Sequence, residues 1–197
     1  MNTKRGMATL GSLCVLLFSV QGYGSETRTA SLIQTSGRPG DIERAALGKI
    51  GFVVGEWEGD GWQQTEAGQR VRFWVRESYR YRGDKDLLDM EGESRSLLPD
   101  GTRSSERHYS LGILSYDRAT SEYRMWHYAN DGDAFMVKVN VDIEGKVARY
   151  IRQDAKTGSS RFTLKIGEDG VWVSTVERLG PDSRWLEVVE FRMKRVK

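Results

Sequence analysis

Glu77 is the residue whose setting calls most directly for a chemical explanation. It stands in residues 69–82, where Val71, Phe73, Val75, Tyr79 and Tyr81 alternate with Arg70, Arg72, Trp74, Arg76, Ser78, Arg80 and Arg82. Alternation of period two is the mark of a strand with one apolar face and one solvated face. Glu77 shares the parity of the apolar set, so the pattern places a carboxyl in an apolar lining. Such a group is either paired with a cation or keeps its proton to a higher pH than usual. Arg149 and Arg178 are the candidate partners. The bland reading is a buried structural ion pair; the functional one is a polar anchor or general acid/base for a bound molecule. Tyr79, Tyr81, Tyr116, His108 and His127 are further candidates for binding. Each has an aromatic body and a hydrogen-bonding tip, the mixture that lines small-molecule pockets. Trp62, Trp74 and Trp126 are candidates for a partner surface or for the mouth of a cavity.

Other chemistry is poorly represented. The only cysteine is Cys14 and the only histidines are His108 and His127. The two histidines lie on consecutive strands, and pairing across the loop at 117–121 sets His127 beside Leu111 or Gly112. That offset from His108 is about 13 Å along a strand, too far for one ion. No metal is expected. The chain has no nucleophile elbow, phosphate loop or catalytic triad.

The elements that must position Glu77 are strands. After Gly51 no segment has sustained helical periodicity. Nine breaks rich in Gly, Asp, Asn and Ser separate ten strand-length runs, several with short-hairpin chemistry. Sequential hairpins imply an up-and-down meander, and a meander this long closes into a barrel because closure removes both exposed edges. The expected fold is all-β: a single antiparallel barrel of about eight to ten strands with a short N-terminal helix. A tight turn over 83–86 pairs Arg82 with Leu87. The same register sets Arg80 opposite Asp89, Arg76 opposite Glu93, Tyr79 opposite Met90 and Glu77 opposite Gly92. The arginine stripe on this strand then reads as a solvated outer face neutralised by Asp89, Glu91 and Glu93.

The N-terminal part reads differently. Residues 1–24 have a basic start (Lys4, Arg5), an apolar run over 7–20, and small residues at Gly22 and Gly24. This is the pattern of a secretory signal peptide, and about 14 apolar residues is short for a membrane span. Cys14 is preceded by Leu13 and followed by further apolar residues, which does not fit a lipidated cysteine. Residues 25–40 read as a flexible leader, and 41–197 as the barrel domain. Within it, 41–50 is a short helix with Asp41 as its N-cap and Gly51 as its stop. The chain carries 30 basic and 28 acidic residues. The basic excess lies in the signal, leaving a formally neutral remainder without cysteine. That argues against nucleic acid or an anionic membrane as main partner, and against disulfides.

Gly55-Glu56-Trp57, following the short helix, has the Gly-x-Trp pattern of lipocalins. The longer run Phe52-Val53-Val54-Gly55-Glu56-Trp57-Glu58-Gly59-Asp60-Gly61 resembles the opening of a group of bacterial secreted lipocalin-like (calycin-type) barrels, and is similar to the opening of nitrobindin-like haem barrels. Ser115-Tyr116-Asp117 with Tyr123, and the closing strand over 185–196, resemble the same group. The resemblance covers roughly residue 47 to the C-terminus. It implies that Trp57 plugs the closed end of the barrel and that an arginine of the last strand, Arg192 or Arg195, stacks on it. Gly55 and Gly59 would let the chain turn and approach its neighbours closely. The haem ligand of nitrobindin-like barrels is a histidine late in the chain. This sequence has none after His127, so no haem and no other cofactor is expected.

The function expected from these features is an exported barrel, periplasmic or secreted, binding a small apolar or amphipathic molecule in its interior. It would have no membrane segment after signal cleavage. The alternatives are a filled barrel acting as an envelope interaction protein, and a small barrel enzyme using the interior Glu with Tyr or His.

Overall fold

A computed structural model of the chain describes residues 40–154 and 158–197. The signal-peptide reading and nearly all of the leader reading lie outside the described residues. Ten strands follow one helix: α1 (Asp41–Lys49), a 3-10 turn (Gly51–Val53), then β1 (Gly55–Gln64), β2 (Arg70–Arg82), β3 (Leu87–Ser96), β4 (His108–Asp117), β5 (Glu122–Ala129), β6 (Ala134–Asp142), β7 (Val147–Asp154), β8 (Gly158–Ile166), β9 (Trp172–Leu179) and β10 (Trp185–Arg195). Each strand pairs antiparallel with the next, and β10 returns to pair with β1, closing the barrel. The expected all-β up-and-down barrel is the observed one, with ten strands.

The β2–β3 register is the one the alternation implies: Arg82 faces Leu87, Arg80 faces Asp89, Tyr79 faces Met90, Glu77 faces Gly92 and Arg76 faces Glu93. The charges outside are paired differently from expectation. Arg76 and Arg80 both reach Glu56 on β1, at 2.6 and 3.2 Å, and Arg72 reaches Asp60 at 2.6 Å. From β3 only Asp89 takes part, with Arg82, while Glu93 is held by Arg95 at 2.7 Å. An arginine side chain is long enough to reach either neighbouring strand, so a register with one neighbour does not fix its partner. Trp74, on this outer face, is covered by the Arg103 guanidinium 3.6 Å from its ring centre and donates to Glu58 at 2.8 Å.

The closed end shows why the lipocalin-like pattern is there. Gly55 has φ +138, and a Cβ on Gly59 would lie 1.8 Å from the Arg192 carbonyl oxygen, so β1 lies tight against β10 only with glycine there. Trp57 is fully buried and donates its indole N–H to the Val53 carbonyl at 2.8 Å. Arg195 stacks on Trp57, 4.4 Å from the ring centre, and its guanidinium also donates to the carbonyls of Val54 and Phe52. Arg192 does not do this: it points outward and pairs with Glu190 at 2.9 Å. Phe191 and Met193 pack into the core, so alternation along β10 puts Arg195 with them and Arg192 outside.

Helix α1 caps this end. Its N-cap is Gly40 rather than Asp41, which is the first helical residue and pairs with Arg44 at 2.6 Å. Carbonyls in the last turn of a helix have no partner within it. Here two of them are supplied by the barrel: Tyr81 donates to Leu47 O at 2.9 Å and Tyr123 donates to Ala46 O at 2.8 Å. Ala46, Leu47 and Ile50 are buried beneath.

The wall is weakest between β6 and β7. Their ladder has only three pairs, Asn140–Arg149, Val141–Ala148 and Asp142–Val147. Beyond it the strands are joined by side chains. Arg152 of β7 grips Asp133, in the β5–β6 turn, through two bonds of 2.5 and 2.8 Å.

Candidate functional site

The interior above the helical cap is not filled. A cavity of about 80 Å³ lies there, walled by Ile50, Phe52 and Val53 from the cap and by Tyr79, Leu88, Met90, Leu114, Met125, Tyr150, Leu164 and Trp172 from the strands. Small residues open it. Gly112 faces inward and a Cβ there would come within 2.9 Å of the Met90 methyl; Ala148 is another short wall position. Such a space suits a short chain or a single ring, and its lining is almost wholly apolar.

Glu77 stands beside this cavity. It is enclosed by the barrel, though not fully buried. Its Oε2 accepts a 2.7 Å hydrogen bond from the Tyr79 hydroxyl, and the Tyr79 ring is part of the cavity wall. Across the strands Glu77 faces Trp57 on one side and Gly92 on the other. A Cβ on Gly92 would meet Ser110 Oγ at 2.8 Å and Glu77 Cγ at 3.9 Å, so glycine leaves the carboxyl its room. Burial pushes the Glu77 carboxyl up to about 7, opposed only by the Tyr79 hydrogen bond. The same burial, with the nearby Glu77 charge, raises the Tyr79 and Tyr150 hydroxyls above their ordinary range, so both stay protonated donors. Tyr150 stacks on Phe162, with ring centres 4.5 Å apart.

The expected cation for Glu77 is not there. Arg149 is exposed, on the opposite face of β7 from Tyr150, and Arg178 is exposed on β9 towards the opposite end of the barrel from the cap. Arg152, whose parity is inward, is engaged by Asp133 and Asp154. Among the described residues no ion pair reaches Glu77. Its parity was legible in β2; the position of a distant strand's arginine along the barrel axis was not.

A chain of aromatic contacts links the site to the closed end. Trp57 meets Trp172 edge-on with ring centres 5.1 Å apart, and Trp172 meets Tyr79 at 4.9 Å. Trp172 donates its indole N–H to Ser174 Oγ at 2.8 Å, so this fully buried indole leaves no polar group unpaired.

The remaining expected site residues are dispersed. Tyr81 and Tyr116 lie at the capped end, outside the cavity wall: Tyr81 holds the helix, and Tyr116 packs edge-on against Tyr123 at 5.1 Å. His127 sits opposite Gly112, as the pairing implied, stacked on Phe135 at 4.5 Å. Burial lowers its pKa below the ordinary 6.5, and its Nδ1 is enclosed without a hydrogen bond among the described residues. His108 is half-exposed at the far rim, 3.9 Å from Asp131. Trp126 is exposed, whereas Trp62 carries the Arg70 guanidinium 3.6 Å above its ring. Neither histidine lines the cavity. No group of three or more His, Cys, Asp or Glu among the described residues has the arrangement of a metal site. Met90, Gly112, Ala148, Tyr150 and Trp172 are site residues that the sequence reading did not single out. Inward parity on β3, β4, β7 and β9 was the available signal.

Fold and site together define a lipocalin-like ten-stranded barrel with an interior cavity and one enclosed carboxyl. No family model matches the chain, and no curated protein matches it. Solved structures similar in fold include two of known source. The crystal structure of Rv2717c from M. tuberculosis has a TM-score of 0.58 at 13% identity, covering 77% of this chain and 98% of that one. The S-type phycobiliprotein lyase CpeS from Guillardia theta has a TM-score of 0.54 at 9% identity, covering 82% of this chain and 99% of that one. At these identities the similarity is one of fold. No helix among the described residues is long and apolar enough to cross a membrane.

Proposed function

We propose that this barrel holds a small apolar or amphipathic molecule in its lumen, with the apolar part in the cavity beneath Tyr79 and Tyr150 and a polar group at Glu77. The observation that carries the reading is the enclosed Glu77 carboxyl, paired with no cation among the described residues and hydrogen-bonded to Tyr79 in the wall of an apolar cavity. Burying a carboxyl in such a place costs free energy that a purely structural core has no reason to spend. The cavity also favours binding over the alternative of a filled barrel serving as an interaction protein. Likeness to a phycobiliprotein lyase is compatible with a small-molecule site. We place the protein outside the cytoplasm, periplasmic or secreted, on the basic-then-apolar start and the absence of cysteine after Cys14.

A second reading has one observation in its favour. A carboxyl titrating near 7 and bonded to a tyrosine is suited to general acid/base work on a bound substrate. Both readings use the same pocket and require occupancy first.

Native mass spectrometry of protein purified from its own host tests that occupancy. A retained small molecule, absent from an Ala148→Leu variant in which the cavity is filled, is the expected result. A bare chain, with wild type and Ala148→Leu indistinguishable, contradicts it.

A further inference from the structure

Three features meet at one place in the lumen. The first is a carboxyl that lacks a counterion. Among the described residues no basic side chain pairs with Glu77: Arg149 is outside, Arg178 is exposed on β9, and Arg152 is occupied by Asp133 and Asp154. Lys146 and Lys165 contribute to the cavity wall but are exposed residues. The second is the hydrogen-bonding pattern. Oε2 is satisfied by Tyr79, while Oε1 receives no hydrogen bond from a described residue. The third is the wall itself, to which Tyr79 and Tyr150 contribute, with the fully buried Trp172 packed on Tyr79. Aromatic faces attract cations, most strongly where water is excluded. The ring hydroxyls of Tyr79 and Tyr150 also carry lone pairs that can accept from an N–H.

We propose that the occupant of this lumen is a small amphipathic amine, its ammonium group paired with Glu77 between the aromatic rings and its apolar remainder in the cavity. The proposal rests on the interior-binding reading above and adds the charge of the ligand. A carboxylate ligand would meet the ionised Glu77 with like charge in a medium of low dielectric, and a neutral one would leave that ionised form without a counterion. An alkylammonium supplies the missing charge and up to three donors, which Glu77 Oε1 and the two phenol oxygens can receive. The cavity limits the apolar part to a short chain or a single ring.

Isothermal titration at pH 8 with three probes of one length tests this: n-hexylamine, 1-hexanol and hexanoate, each on the folded protein and on Glu77→Gln. The expected result is that wild type binds hexylamine at least tenfold more tightly than hexanol, with hexanoate weakest. In Glu77→Gln that preference falls below threefold. If hexanol or hexanoate binds wild type as tightly as hexylamine, or the preference survives in Glu77→Gln, the amine assignment is wrong while the interior site stands. If none of the three binds wild type, both readings fall. Should Glu77→Gln not fold, the amine-to-alcohol ratio in wild type alone decides.

Discussion

The hydroxyl of Tyr79 donates a 2.7 Å hydrogen bond to the Glu77 carboxyl two positions earlier on the same face of β2. This pair joins the two halves of the site, because Tyr79 is at once a wall of the apolar cavity and the one described hydrogen-bond partner of the carboxyl. It also links the site to the closed end, through Trp172, Trp57 and the Arg195 guanidinium.

The raised pKa of Glu77 has a consequence for stability. Its ordinary value is 4.5 and burial pushes it up to about 7, so the folded chain holds a proton that the unfolded chain has already lost. Between those pH values the native state binds more protons than the unfolded state. Stability from this group is therefore full below about pH 4.5, falls as pH rises, and is gone above about 7. The whole effect is about 3 kcal/mol. Glu77→Gln keeps the shape and cannot ionise. Urea unfolding at pH 4.5 and pH 8 should show the variant close to wild type at the lower pH and more stable at the higher one. A variant less stable at both would mean that the ionised carboxyl has a partner in the fold.

The closed end gives a prediction that separates two arginines of one strand. Arg195 stacks on Trp57 and donates to two carbonyls, whereas Arg192 is outside with Glu190. Arg195→Met should lower stability by about 1–2 kcal/mol, from the lost cation–π contact and hydrogen bonds. Arg192→Met should change it far less, because an exposed pair contributes little. Thermal unfolding of both variants in one buffer checks the contrast; equal losses would contradict it.

How far these features could be read beforehand depends on the range of the interactions. The β2–β3 register was legible because a short turn at 83–86 and strict alternation leave one pairing that buries Tyr79 and Met90 together. Glu77's inward parity came with it. The choice between Arg192 and Arg195 was harder, since β10 has an irregularity between Glu187 and Val189 that shifts its register against β9. Counting from Trp185 therefore misassigns the faces beyond it. Tyr81 and Tyr116 show a second limit. Parity says which face a side chain takes, but not its height along the barrel. Both fall at the capped end, where Tyr81 serves a helix carbonyl and Tyr116 packs on Tyr123. The cavity was invisible for a related reason: it exists because Gly112 and Ala148 on separate strands come to one level, a long-range coincidence that no local pattern records.

The side of the barrel between β6 and β7 should be its most easily opened part. Three ladder pairs hold it, and the rest depends on Arg152 gripping Asp133. Arg152→Met should speed amide hydrogen exchange in Val137 and Tyr150 by tenfold or more, while exchange in β1 and β2 stays within about twofold, because local opening follows local contacts. Uniform acceleration across the barrel would instead mean that the pair stabilises the whole fold.

The central claim, that the lumen takes a small amphipathic guest beside Glu77, is tested most directly by following methionine methyl signals in NMR during titration with n-hexylamine. Met90 and Met125 line the cavity, whereas Met136 is exposed on the outer wall. Saturable shifts of Met90 and Met125 with an unmoved Met136, abolished by Ala148→Leu, are the predicted result. Signals of Met90 and Met125 that stay in place at millimolar hexylamine, or that move only together with Met136, would contradict it.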